Sequence, residues 1–273
     1  MSIPRIRLSN VQLQTRRREM NTGDVQSLFQ SAQEEGLSIE AAGILVNNLN
    51  GVTVAGAAGA QVDDLAGDEA TLYVRIIDKT GSMKRFTQNV IDAGNEQIQA
   101  LERSKASDSI LMSTWVFNET STLLHSYQPL ATVVQLDRNN YDPDGMTALY
   151  DAVLDGITSA VAYTQTLRDA GIRVKVVIVI VSDGEDNTSS HTVAQVRTVI
   201  KNLLRQEIYT VAFVAFGTEG TRIADEMGIP QQNVLDEKAD AHAIRSAFDT
   251  VSKSVIRASQ TTIGQQSSQS FFN

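Results

Sequence analysis

From residue 71 onward, short apolar runs alternate with longer segments of helical period. TLYVRII (71–77) reads as a strand, and residues 84–103 then place Phe86, Val90, Ile91, Ala93, Ile98 and Leu101 at helical spacing. ILMSTWVF (110–117) predicts a second strand, and residues 123–136 a short extended segment and its return. AVLDGITSAVAYTQTL (152–167) is amphipathic at a period of about 3.6. VKVVIVIV (174–181) is apolar on both faces, the mark of a central parallel strand. A helix over 192–205 and a two-sided strand, IYTVAFVAF (208–216), follow. A short helix over 219–228 is closed by Gly228 and Pro230; Asn233-Val234-Leu235 makes a weak sixth strand, and 240–257 a last helix.

The pattern predicts an α/β fold: a doubly wound, mostly parallel, six-stranded Rossmann-like sheet flanked by helices. Such sheets bind ligands at the carboxyl ends of their strands, where strand order reverses. Asp78 and Asp183 each directly follow a predicted central strand, which puts both on that rim.

The ends differ in character. Residues 1–70 form an amino-terminal extension, 71–259 the main domain and 260–273 a tail. Within the extension, 24–35 and 38–49 read as two short helices joined at Gly36, with Ser38 as cap and Glu40 in the first turn. GVTVAGAAGAQ (51–61) is rich in small residues and reads as a linker or a loosely packed edge segment. The tail is polar until Phe271-Phe272 and is expected to be disordered, with docking of the two phenylalanines as the lesser alternative.

Composition narrows the class. The 273 residues are 42% apolar, enough for a core that buries roughly three quarters of the unfolded surface. With no cysteine there are no disulfides, zinc-thiolate sites or cysteine nucleophiles, which fits a reducing compartment. No apolar run reaches the roughly 20 residues that cross a bilayer, and MSIPRIRLSN lacks the apolar segment of a secretory signal. A soluble cytoplasmic protein without a membrane partner is the expectation. The net charge is −9, but the first twenty residues carry five arginines against one glutamate. A chain this acidic overall is a poor binder of nucleic acid, and the basic arm reads as solvated or lying on its own domain.

Three segments carry the candidate chemistry: Asp78-Lys79-Thr80-Gly81-Ser82, Asp144-Gly145-Met146-Thr147-Ala148-Leu149 and Ser182-Asp183-Gly184-Glu185-Asp186. The first begins like the phosphorylated-aspartate loop of P-type ATPases and haloacid dehalogenase-like enzymes. Phosphatases of that kind place a second acid two residues after the nucleophile, and position 80 is Thr. P-type ATPases share the Thr but need nucleotide and membrane domains for which the chain has no room. A metal reading uses all three segments. A hard cation such as Mg²⁺ takes about six oxygens and keeps some waters. Hydroxyls of Thr80, Ser82 and Thr147 with carboxylates of Asp78 and Asp183 supply oxygens from three loops.

Residues 71 to about 257 resemble a von Willebrand factor A (vWA) domain with a metal-ion-dependent adhesion site. IIDKTGSM matches the first metal loop, GMTALYDAV the threonine loop and VIVSDGEDN the final aspartate loop. The resemblance implies that Ser82 and Thr147 bind Mg²⁺ or Mn²⁺ directly, that Asp78 and Asp183 do so directly or through water, and that a partner's Asp or Glu completes the shell. Thr80 stands where the family usually has serine; it keeps the hydroxyl, but its methyl restricts the rotamer.

Plainer roles compete with these. Asp78 and Asp183 could cap following helices, Asp142 and Asp144 fit turn chemistry with Pro143 and Gly145, and Glu185 and Asp186 read as an exposed acidic loop. His125, His191 and His242 show no ligand spacing; Trp115 reads as core, while Met83 could border the ligand face or pack inward. The expected function is metal-dependent protein–protein interaction, as a non-enzymatic adaptor or assembly factor. The resemblance suggests AAA-type ATPases as one partner class. The alternative is a self-assembling protein whose arm or tail packs on neighbouring copies, and a remoter one is a phosphoryl-transfer enzyme using Asp78.

Overall fold

The computed structural model describes residues 22–217, 219–238, 240–261 and 270–272. The basic arm and residues 262–269, with the expectations placed on them, lie outside the described residues.

The chain opens with helices α1 (Thr22–Glu34), α2 (Ile39–Asn47) and α3 (Gly51–Gly56). The main body then runs β1 (Glu69–Asp78), α4 (Thr87–Glu102), β2 (Ile110–Phe117), β3 (Ser121–Pro129), α5 (Leu149–Asp169), β4 (Arg173–Ser182), α6 (Val193–Leu204), β5 (Tyr209–Phe216), α7 (Gly220–Glu226), β6 (Val234–Glu237) and α8 (Ala241–Gln260). The strands form one sheet of order β3-β2-β1-β4-β5-β6, parallel except for the antiparallel β2–β3 pair. This is the doubly wound α/β sheet that the hydrophobic pattern predicts.

Alternation along the central strands divides the core in two. Leu72, Val74 and Ile76 of β1 face one layer, with Val176, Ile178 and Ile180 of β4. Tyr73 and Ile77 face the other, with Val177, Val179 and Val181. Helices α5 and α6 cover the first face, α4 and α8 the second. Apolar side chains on both faces are what a strand needs when helices cover both. Arg75 breaks the pattern. Fully buried on the second face, it donates to Gly94 O at 2.9 Å and Gln97 Oε1 at 3.2 Å, and burial holds its pKa down at about 10.

Helix α5 differs from its amphipathic reading: 16 of its 21 residues are buried. The extension supplies the second cover. Helices α1 and α3 pack on α5, and α2 packs on α6. Ser38 caps α2 as expected, accepting from Ala41 N at 3.1 Å, and Gly36 takes the left-handed turn between the helices at φ 117°.

Residues 51–61, expected as a linker, are a built part of this layer. Asn50 and Thr53 form a capping box, and Asn48 and Asn50 both donate to the buried carboxylate of Asp155, each at 3.2 Å. A Cβ on Gly56 would lie 2.5 Å from the Trp115 ring. Ala60 N–H donates to Tyr127 O on the edge strand β3 at 2.8 Å, and Tyr127 stacks on Tyr163 with ring centroids 4.6 Å apart. Small residues here permit close approach rather than looseness.

The tail also departs from expectation where it is described. Phe271 is buried in the second core layer, with Phe272 packed against it. Among the described residues no helix is long and apolar enough to cross a membrane.

Candidate metal centre

Strand order reverses between β1, which pairs with β2, and β4, which pairs with β1 and β5. Asp78 is the last residue of β1 and Asp183 follows the last residue of β4. Their loops therefore meet at the switch point.

Asp78 is fully buried. Its Oδ1 accepts from Thr80 N–H at 2.7 Å and its Oδ2 from the Ser182 hydroxyl at 2.6 Å. Burial pushes its pKa up to about 6; the hydrogen bonds from Ser182 and Thr80 offset only part of that, and no Lys or Arg compensates it. The Thr80 and Ser82 hydroxyls lie 3.0 Å apart, and Ser82 Oγ donates to Asp183 Oδ1 at 2.7 Å. Asp183 is also raised, chiefly by burial, with the Ser82 hydrogen bond and the charge of Arg85 opposing the shift. Thus Asp78, Thr80, Ser82 and Asp183 form one hydrogen-bonded string across two loops.

Thr147 arrives from the third loop. A Cβ on Gly184 would lie 3.9 Å from its Oγ1, so its hydroxyl borders the Asp183 loop. Asn187 fixes it there: its side chain accepts from Thr147 N–H and its own N–H donates to Thr147 O, both at 2.9 Å. The loop before it is clamped from the β2–β3 turn. Glu119 Oε1 accepts from Met146 N–H at 2.8 Å, and Asn118 O accepts from Ala148 N–H at 2.8 Å. Gly145 sits at φ 80° with the Glu119 carboxylate where a Cβ would stand, so only glycine fits that turn. Gly81 N–H donates to Gly145 O at 3.0 Å and ties the first loop to the threonine loop.

All five expected site residues lie on this rim. Sequence reasoning missed Ser182, Asn187, Glu119 and Tyr141, whose hydroxyl donates to Asp78 O at 2.8 Å. Ser182 and Asn187 stood inside the quoted motif, but their partners lie 104 and 40 residues away. Asp183 does not cap α6; Thr192 does, through a capping box with Gln195. Asp186 is not a free acid, since it accepts from Tyr150 N–H and the Ser189 hydroxyl, while Glu185 pairs with Arg222. Met83 packs inward, Trp115 is core, and the three histidines lie apart: His125 on β3, His191 against Asp151 at 2.7 Å, His242 exposed on α8.

Among the described residues no group of three or more His, Asp or Glu is placed to hold a metal ion. The candidate donor set is of another kind, two carboxylates with three hydroxyls. It suits a hard cation: all five donors are oxygen, and the buried Asp78 carboxylate has no positive neighbour.

No family model matches the chain, and neither does any curated protein. Solved structures do match in fold. A pilus adhesin, SpaC from Lactobacillus rhamnosus GG, aligns at 11% identity and TM-score 0.56 over 71% of this chain and 31% of that one. A D319A mutant of the PilB minor pilin from Streptococcus sanguinis aligns at 12% identity and TM-score 0.51, over 71% of this chain and 63% of the pilin. The chain thus spans less than two thirds of either protein. Proximal thread matrix protein 1 from the mussel byssus, with a zinc-occupied MIDAS motif, aligns at 12% identity over 69% of this chain and 46% of that one. Its TM-score is 0.47.

Proposed function

We propose that the chain is a metal-dependent protein-interaction module. Asp78, Thr80, Ser82, Thr147 and Asp183 would hold Mg²⁺ or Mn²⁺, and an Asp or Glu of a partner protein would complete the shell. The observation that carries this reading is the joining of three loops at one rim: Ser82 bonded to Asp183, with Thr147 set against Gly184. Both Asp78 oxygens already accept hydrogen bonds from the protein, which favours contact with the ion through water. Direct ligation then falls to the Ser82 and Thr147 hydroxyls and to Asp183. Few anionic oxygens on the ion leave it electron-poor, so it attracts an external carboxylate. When bound, the cation supplies charge for binding, not for bond cleavage.

The same burial weighs against phosphoryl transfer. A nucleophilic aspartate needs a free oxygen open to its substrate, and Asp78 is 0% exposed with Ser182 and Thr80 on its two oxygens. One of the solved structures named above is a minor pilin and another a pilus adhesin. Their likeness to this chain is one of fold, and an interaction role is in keeping with it.

A Mn²⁺ titration by calorimetry on wild type and Thr147→Ala, each checked by circular dichroism, tests the site. The expected result is wild-type binding weakened at least tenfold in the variant, about 1.4 kcal/mol or more. Equal binding by both proteins would remove Thr147 from the site and sink the three-loop reading.

A further inference from the structure

The rim carries charged groups for which the five candidate ligands give no use. Lys84 and Arg85 follow Ser82 within a single turn of 3-10 helix, Gly81–Phe86, and both are exposed. Neither side chain makes a hydrogen bond or an ion pair among the described residues. Elsewhere on the surface Arg173, Arg222 and Arg245 each find a carboxylate. Arg85 is nevertheless held in place. Its guanidinium carbon lies 4.5 Å from the centroid of the Phe86 ring, a stacking contact that orders a long side chain while leaving its donors open. Its charge reaches Asp183, where it opposes the effect of burial on that carboxyl group.

A fixed positive charge beside a cation site repels the cation, so Arg85 does not serve the ion itself. It suits a negative charge that arrives together with the ion's outer ligand. The acids of the rim give that charge a direction. Glu119 is engaged with Met146 N–H and Glu185 with Arg222, while Asp142 and Asp144 stand exposed on the threonine-loop side and repel a second acid from there. We propose, resting on the metal-site reading above, that the partner presents a short acidic segment. One carboxylate completes the ion's shell, and a second pairs with Arg85, with Lys84 adding attraction from the same turn. The rim thus reads two acids, not one.

Two fluorescein-labelled peptides test this on the full chain in Mn²⁺ at about 50 mM salt: Gly-Gly-Glu-Glu-Glu-Gly-Gly and its single-acid counterpart Gly-Gly-Gln-Glu-Gln-Gly-Gly. By fluorescence polarisation, Arg85→Gln should hold the triacid about three- to fivefold more weakly than wild type does, the range open to an exposed pair. It should hold the single-acid peptide as wild type does. Its Mn²⁺ affinity by calorimetry should not fall, because a repelling charge has been removed. Arg85→Lys should keep most of the triacid affinity, and the difference should fade at about 0.5 M salt. An equal loss on both peptides, or no loss on either, overturns the proposal. If neither peptide binds wild type, an acidic segment is excluded as partner. Triacid binding that persists in EDTA and still depends on Arg85 would keep the arginine contact and sink the metal reading instead, so the two failures are separable.

Discussion

His125 shows how one buried group writes itself into the stability of the protein. Burial lowers its pKa from 6.5 to about 4, and the nearby Arg75 charge adds to the shift. Between those values the unfolded chain takes a proton that the folded chain refuses. Stability is therefore lost as pH falls from 6.5 to about 4, by up to about 3 kcal/mol. Asp78 acts in the opposite sense, because its raised pKa favours the folded state as pH falls through about 6. Comparing wild type with His125→Gln cancels that contribution. Urea midpoints measured from pH 7 to 4.5 should diverge, with the wild type falling further; parallel curves would refute the assignment to His125. At this scale the sequence was readable where a side chain serves a local pattern. Asp78, Ser82 and Asp183 announced themselves by spacing. Ser182, Asn187 and Glu119 did not, because each is defined by a partner that only folding brings near.

Helices and strands from β1 to α8 were legible because period and two-sided burial mark them directly. What the periodicity hides is a helix with two covers. The bulky residues of α5 form one stripe, but Thr158 and Ser159 on its remaining surface, against Asn48 and Gly56, are equally buried. Small residues look neutral in a hydrophobic pattern and yet allow backbones to approach closely. The same blindness turned α3 into an expected linker, although Asn50 and Thr53 already spelled a helix start. Gly56→Ala tests the contact. Its Cβ would fall 2.5 Å from Trp115 and 2.9 Å from the Ser159 Cβ, so the substitution should destabilise by about 1–3 kcal/mol and shift the tryptophan emission. A variant with unchanged midpoint and emission would mean that α3 is not seated on Trp115.

For the whole molecule, the extension and the main body share one hydrophobic layer. Val25, Phe29 and Leu45 belong to the same cluster as Leu72, Ile157 and Val199. Such continuity predicts a single cooperative transition by calorimetry, with equal calorimetric and van't Hoff enthalpies. Two resolved transitions would mark residues 22–60 as an independent unit. The parallel sheet adds a consequence of its own. Strand β4 runs beside β1 from Glu69↔Arg173 to Ile77↔Val181, with the rim that carries Asp78 and Asp183 at one end. A pull from a partner held at the proposed site would run along the strands. Such a load would shear the backbone bonds of the ladder together instead of unzipping them one at a time, so the direction in which the rim faces is the direction in which the sheet resists tension best.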